Sequence, residues 1–157
     1  MQFKHIALSN WMNFTSVDVS LSLRMFLIGP NASGKSNLLD VFRFLRDIAR
    51  PGGGFQKAVA DRGGVSSLRC LAARRYSDIM VEVQVGPPSS AEVRPRWRYR
   101  IEFNQDPQRR AILKKEQVWR NGEKILDRPD SFDELDLSRT RVHVSVIDRK
   151  GDGVNFD

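Results

Sequence analysis

The sequence predicts an α/β chain with a leaning towards α+β, on three observations. A continuous apolar run, Met25-Phe-Leu-Ile28, meets a glycine-containing loop at Gly29. An amphipathic helix opens where that loop ends, and several strand-like alternating segments follow it.

Taken in order, Phe3–Leu8 is short, partly apolar and β-compatible. In Val17–Leu21 the residues Val17, Val19 and Leu21 are apolar while Asp18 and Ser20 are polar, the period-two pattern of a half-exposed strand. Met25–Ile28 lacks that alternation and fits a central strand buried on both faces of a parallel or mixed sheet. From Ser36 to Arg50 the residues Leu38, Leu39, Val41, Phe42, Leu45, Ile48 and Ala49 follow helical spacing. Arg43, Arg46, Asp47 and Arg50 fall mostly on the opposite side. Pro51 and Gly52–Gly54 stop this helix. A short second helix is expected from Phe55 to about Asp61, followed by a loop at Arg62-Gly63-Gly64.

Beyond that point Asp78–Val85, Arg96–Phe103 and Arg141–Ile147 alternate, and Ala111–Arg120 and Glu123–Leu126 are strand-like runs. The dipeptide Asn121-Gly122 between two such runs is a strong hairpin signal. The Pro/Ser stretch Gly86–Ala91 reads as a loop. The expectation is therefore strand, loop and helix, then an antiparallel meander.

The chain has 157 residues, 40% hydrophobic and 29% charged, which suits one globular domain. No stretch approaches the roughly 20 apolar residues of a membrane-spanning helix. The N-terminus lacks the apolar core and cleavage site of a signal peptide. Cys70 is the single cysteine, so nothing argues for export, and the expected location is cytoplasmic, away from membranes. The net charge of +7 has two readings, a polyanionic partner or the basic share of a larger protein.

Gly29-Pro30-Asn31-Ala32-Ser33-Gly34-Lys35-Ser36 satisfies G-x-x-x-x-G-K-[ST], the phosphate-binding P-loop. In such a loop successive backbone N–H groups curl round a phosphate, and the helix behind aims its positive end at the same anion. Lys35, the candidate catalytic residue, would reach the β- and γ-phosphates. The Ser36 hydroxyl would coordinate Mg²⁺. Gly29 through Ser36, with Asn37, are the expected cofactor-binding residues, for ATP with magnesium. On this reading residues 1–61 form a P-loop core and residues 62–157 are mainly antiparallel strands, within one domain spanning 1–157.

The run Gly-Pro-Asn-Ala-Ser-Gly-Lys-Ser-Asn-Leu-Leu-Asp (29–40) resembles the P-loop of SMC/RecF-type ATPases, within the ABC-ATPase class. There G-P-N-G-x-G-K-[ST]-N-[IL]-[LI]-[DE] is the recurrent form. Leu8-Ser-Asn-Trp-Met-Asn-Phe14 resembles the opening "nF" segment of that group. Phe44–Asp47, Arg62–Gly64 and Lys115–Val118 resemble stretches of bacterial AAA-type ATPases, some associated with DNA repair or phage defence. Ala32 stands where the group has glycine; alanine is small, so the loop is expected to survive.

The resemblance implies two heads that sandwich two ATP molecules, with a later signature and an acidic pair completing the catalytic site. This sequence shows no Ser-Gly-Gly signature. Its one Asp-Glu pair, Asp133-Glu134, lacks a preceding apolar strand, and Arg149 follows Asp148 where a glutamate would be needed. The expectation is the N-terminal part of such a head. Its partner would be a second ATPase head, either a homodimer mate or the missing C-terminal half, and hydrolysis would depend on elements outside the chain. A second reading is a non-catalytic nucleotide-sensing or assembly module. A small-molecule kinase or GTPase is a third, opposed by the absence of an Asn-Lys-x-Asp motif and by the long meander.

Arg94, Arg96, Arg98 and Arg100 alternate with Pro95, Trp97, Tyr99 and Ile101. In a strand this places four guanidinium groups on one face, suited either to DNA phosphates or to acids on neighbouring strands. Trp11, Asn13 and Phe14 lie roughly where related heads contact adenine; the alternative is a core aromatic at a strand–turn junction. Arg62 and Arg69 are candidates to reach nucleotide or DNA, against ordinary surface arginines. His5 and His143 lack metal-ligand spacing, and Cys70 reads as a packing residue.

Overall fold

A computed structural model describes residues 1–73, 77–88 and 95–130. Six strands form one sheet: β1 (Gln2–Trp11), β2 (Phe14–Ser20), β3 (Ile79–Gly86), β4 (Trp97–Gln105), β5 (Ala111–Arg120) and β6 (Glu123–Arg128). Their spatial order is β2-β1-β3-β4-β5-β6, and every neighbouring pair is antiparallel. Helices α1 (Lys35–Ala49), α2 (Phe55–Ala60) and α3 (Val65–Leu68) lie between β2 and β3 in the chain.

Alternation decides which side each strand buries. Ile6 and Leu8 of β1, Val81 and Val83 of β3, Ile101 and Phe103 of β4, and Leu113 and Val118 of β5 form the inner face. Val41, Phe44 and Ile48 of α1 pack on that face with Phe55 and Val59 of α2. Phe44 lies at the centre, with ring centroids 5.1 Å from Trp11 and 5.6 Å from Phe103. The outer face carries Glu82, Arg100 and Gln117 in register across three strands, with Arg98 beside them between Gln84 and Trp119.

The Asn121-Gly122 hairpin forms as expected. Both residues have positive φ, 52° and 88°, the conformation in which a two-residue turn matches the strands' twist. The strand run Arg141–Ile147, His143, the Asp133-Glu134 pair and the Asp148-Arg149 pair lie outside the described residues.

Three expectations change. Met25–Ile28 forms no strand; Phe26 is 84% exposed and Ile28 93%. A strand buried on both faces needs a hydrogen-bonded neighbour and a covering layer on each side. Among the described residues no strand lies beside this run, because β1–β6 pair only with one another. Next, β1 and β2 join the same sheet as the meander, β1 pairing β3 through seven residue partners. Finally, Asp47 turns away from solvent, 8% exposed, because a cation from the loop after α2 meets it there.

Candidate nucleotide-binding site

The site is built where the chain passes from the exposed segment 22–33 into α1. Pro30 and Ser33 close a turn, Ser33 N–H donating to Pro30 O at 3.3 Å. Ala32 takes the left-handed conformation at φ 64°, so it occupies the backbone region for which glycine is better suited, as its place in the motif implies. Gly34 follows at φ 93° as the residue preceding α1.

No side chain caps α1. Leu38 N–H reaches Gly34 O at 2.9 Å, but the N–H groups of Lys35, Ser36 and Asn37 precede the first intrahelical bond and face the loop end. With the helix dipole behind them they make an anion-binding end. The Lys35 ammonium lies inside the loop and donates to Gly29 O at 2.8 Å and Pro30 O at 2.6 Å. A cation is therefore held at the mouth by two carbonyls, where phosphate oxygens are able to take their place. This donor set, backbone N–H groups with a lysine and a hydroxyl, fits a polyphosphate; Ser36 is the residue that would hold Mg²⁺ on it.

Other candidates fall into place differently. Trp11 is fully buried and its indole Nε1–H donates to Asn37 O at 2.9 Å, so it is a core aromatic and presents no face to adenine. Asn37 donates through its amide to Asn13 Oδ1 at 3.0 Å. Arg62 is turned inward: it bonds Asp40 at 2.8 Å and Asp47 at 3.0 Å and lies over the Phe44 ring. Arg69 bridges Trp11 through backbone pairing. His5 bonds Asp18 at 2.8 Å, and Cys70 is buried and free. No group of three or more potential metal ligands occurs among the described residues.

On the outer face Arg98 pairs with Glu82 at 2.7 Å and stacks 4.3 Å over Trp119. Arg100 bonds Glu102 and approaches Glu82 at 3.6 Å. Arg96 is exposed just before β4, and Arg94 lies outside the described residues.

Burial acts to raise the Asp47 carboxyl, yet the hydrogen bonds and charges of Arg46 and Arg62 outweigh it and hold the group below the ordinary aspartate value of 3.8. A depressed folded value contributes stability that is present above the unfolded value and lost as pH falls through the folded one. Asp47→Asn is expected to cost about 1–3 kcal/mol at pH 7, as for hydrogen bonds to charged groups. Urea denaturation of wild type and variant should show that gap closing below about pH 4.

The domain family described as "AAA domain, putative AbiEii toxin, Type IV TA system" matches residues 24–154, well over half of the chain. The chain belongs to this family. The match starts just before the apolar run and takes in the whole P-loop, and it bears out the AAA-type P-loop ATPase domain read from the sequence. A solved structure from work on ATP-driven dimerisation and DNA-stimulated activation of SMC ATPases is also similar. It is 18% identical over 79% of this chain and 72% of the other, with a TM-score of 0.46. No curated protein matches the chain. No helix among the described residues is long and apolar enough to cross a membrane.

Proposed function

We propose that this AAA-family chain is the ATP-binding part of an SMC/RecF-like ATPase, acting in DNA repair or phage defence, and that it binds ATP with Mg²⁺ at Gly29–Ser36. The observation that carries the reading is the Lys35 ammonium held inside the loop at the uncapped start of α1. Lys35 would move from carbonyls to the β- and γ-phosphates, the N–H groups would cradle the β-phosphate, and Ser36 would hold the metal. Turnover also needs a carboxylate base and a signature segment, neither of which is recognisable in this sequence, so a second head or the C-terminal half is the proposed partner. The exposed Met25–Ile28 run supports such a partner, since burying it would supply the neighbours a central strand requires.

Displacement of a fluorescent nucleotide tests the reading. ATP and ADP, with Mg²⁺, should compete well and AMP poorly, because the loop grips the β-phosphate; equal competition by all three would sink it. The purified chain should hydrolyse ATP slowly. If a C-terminal half supplied in trans fails to raise turnover, the sensing or assembly reading is favoured instead.

DNA contact by the outer arginines would have to compete with Glu82 and Glu102, which already pair with Arg98 and Arg100. Changing Arg94, Arg96, Arg98 and Arg100 together to glutamine tests it. DNA affinity should fall and the salt slope flatten; unchanged values would exclude contact on this face.

A further inference from the structure

The β1–β2 turn grips the end of the P-loop at three points. The Asn13 amide and the Phe14 ring press on Gly34: an added Cβ there would lie 2.3 Å from Asn13 Nδ2 and 2.8 Å from Phe14 Cζ. Asn37 Nδ2–H donates to Asn13 Oδ1 at 3.0 Å. Trp11 Nε1–H donates to Asn37 O at 2.9 Å. Lys35 and Ser36 lie between Gly34 and Asn37, so the two residues that flank the phosphate-directed side chains are both held by one turn.

That turn is anchored to the body of the domain. Met12 N–H donates to Leu68 O at 2.6 Å and Cys70 N–H to Asn10 O at 2.9 Å, and the Trp11 ring packs on Phe44. The loop residues 29–33, by contrast, are all exposed. One side of the nucleotide site is thus fixed and the other is solvated.

We propose that Asn13 is a positioning residue of the nucleotide site. It holds Gly34 and Asn37 so that the first turn of α1 keeps its aim when Lys35 exchanges the Gly29 and Pro30 carbonyls for phosphate oxygens. The inference rests on the nucleotide-binding reading above and assigns Asn13 a role away from the base. Asn13 is itself exposed, so replacing it leaves the core intact.

The test is calorimetric titration of the full chain with Mg-ATP for wild type, Asn13→Ala, Asn37→Ala, the double variant and Lys35→Ala, with the ligand-free melting temperature of each. Each asparagine variant should bind about 3- to 10-fold more weakly, the share of one neutral hydrogen bond. The double variant should be no weaker than the poorer single one, because the pair acts as a unit. Unchanged affinity in Asn13→Ala, with or without a lower melting temperature, overturns the proposal, as do losses that simply multiply in the double variant. If wild type and Lys35→Ala are indistinguishable in binding, the nucleotide reading itself fails, which is a separate result.

Discussion

Arg128→Ala is expected to destabilise the domain by about 3–5 kcal/mol, the range for removing one partner of a buried ion pair. Arg128 Nη1 donates to Glu116 Oε2 at 3.0 Å, and the two side chains are 5% and 0% exposed. Tyr99 donates its hydroxyl to the other carboxylate oxygen at 3.0 Å. Burial, and then the Glu116 carboxylate, push the Tyr99 hydroxyl well above its ordinary value, so it remains a donor at neutral pH. Removing Arg128 takes from the buried Glu116 the paired cation that offsets the desolvation of a full charge. Replacing both partners, as in Arg128→Met with Glu116→Leu, should recover most of the loss, because an apolar pair carries no such penalty. Denaturant unfolding of the single and double variants measures both. A single variant within 1 kcal/mol of wild type would contradict this account.

Gly34→Ala should remove nucleotide binding and lower stability together. At φ 93° an L-residue carries strain of about 1–2 kcal/mol. Its Cβ would also meet the Asn13 amide at 2.3 Å and the Phe14 ring at 2.8 Å. To escape, either the turn must move or α1 must start elsewhere, and each displaces Lys35 and Ser36. A fall in Mg-ATP affinity of about 100-fold or more corresponds to roughly 3 kcal/mol. A drop in melting temperature of about 5 °C should accompany it. Binding unchanged from wild type would show that the Gly34 contact does not shape the site.

The sequence made some of this legible because the physics is local. Helical spacing from Leu38 to Ala49 describes α1, and period-two alternation describes β3 and β4; it does not describe β5, where the register with β4 shifts and Glu116, Gln117 and Val118 are all buried. The P-loop motif is legible for a similar reason: backbone conformation and one lysine do the binding, so a short string of residues determines it. What needed a distant partner was not legible. Met25–Ile28 announces a wish for burial and says nothing about which strand would cover it. Asp47 falls on the polar side of the helix by spacing, yet Arg62, which meets it and Asp40, comes from a loop beyond α2. Trp11, Asn13 and Phe14 carry two readings in the sequence, contact with adenine or a core aromatic at a strand–turn junction. Only the structure showed that Trp11 is buried and that Asn13 reaches Asn37 from across the turn. Arg98 and Arg100 alternate as a phosphate-binding strand would, but register places Glu82 opposite Arg100, and that acid, from a neighbouring strand, was not visible from the alternation.

The central claim is that Gly29–Ser36 binds a nucleoside triphosphate through Lys35. Its most direct test is Mg-ATP binding by the wild-type chain and by Lys35→Ala, measured side by side with their melting temperatures. Lys35 donates to two carbonyls of an exposed loop, so its loss should leave the fold intact. The prediction is saturable binding by wild type, at least about 30-fold weaker binding by the variant, as expected when roughly 2 kcal/mol of charge-assisted contact is lost, and similar melting temperatures. Equal affinity in the two proteins, or no binding by wild type, would contradict it.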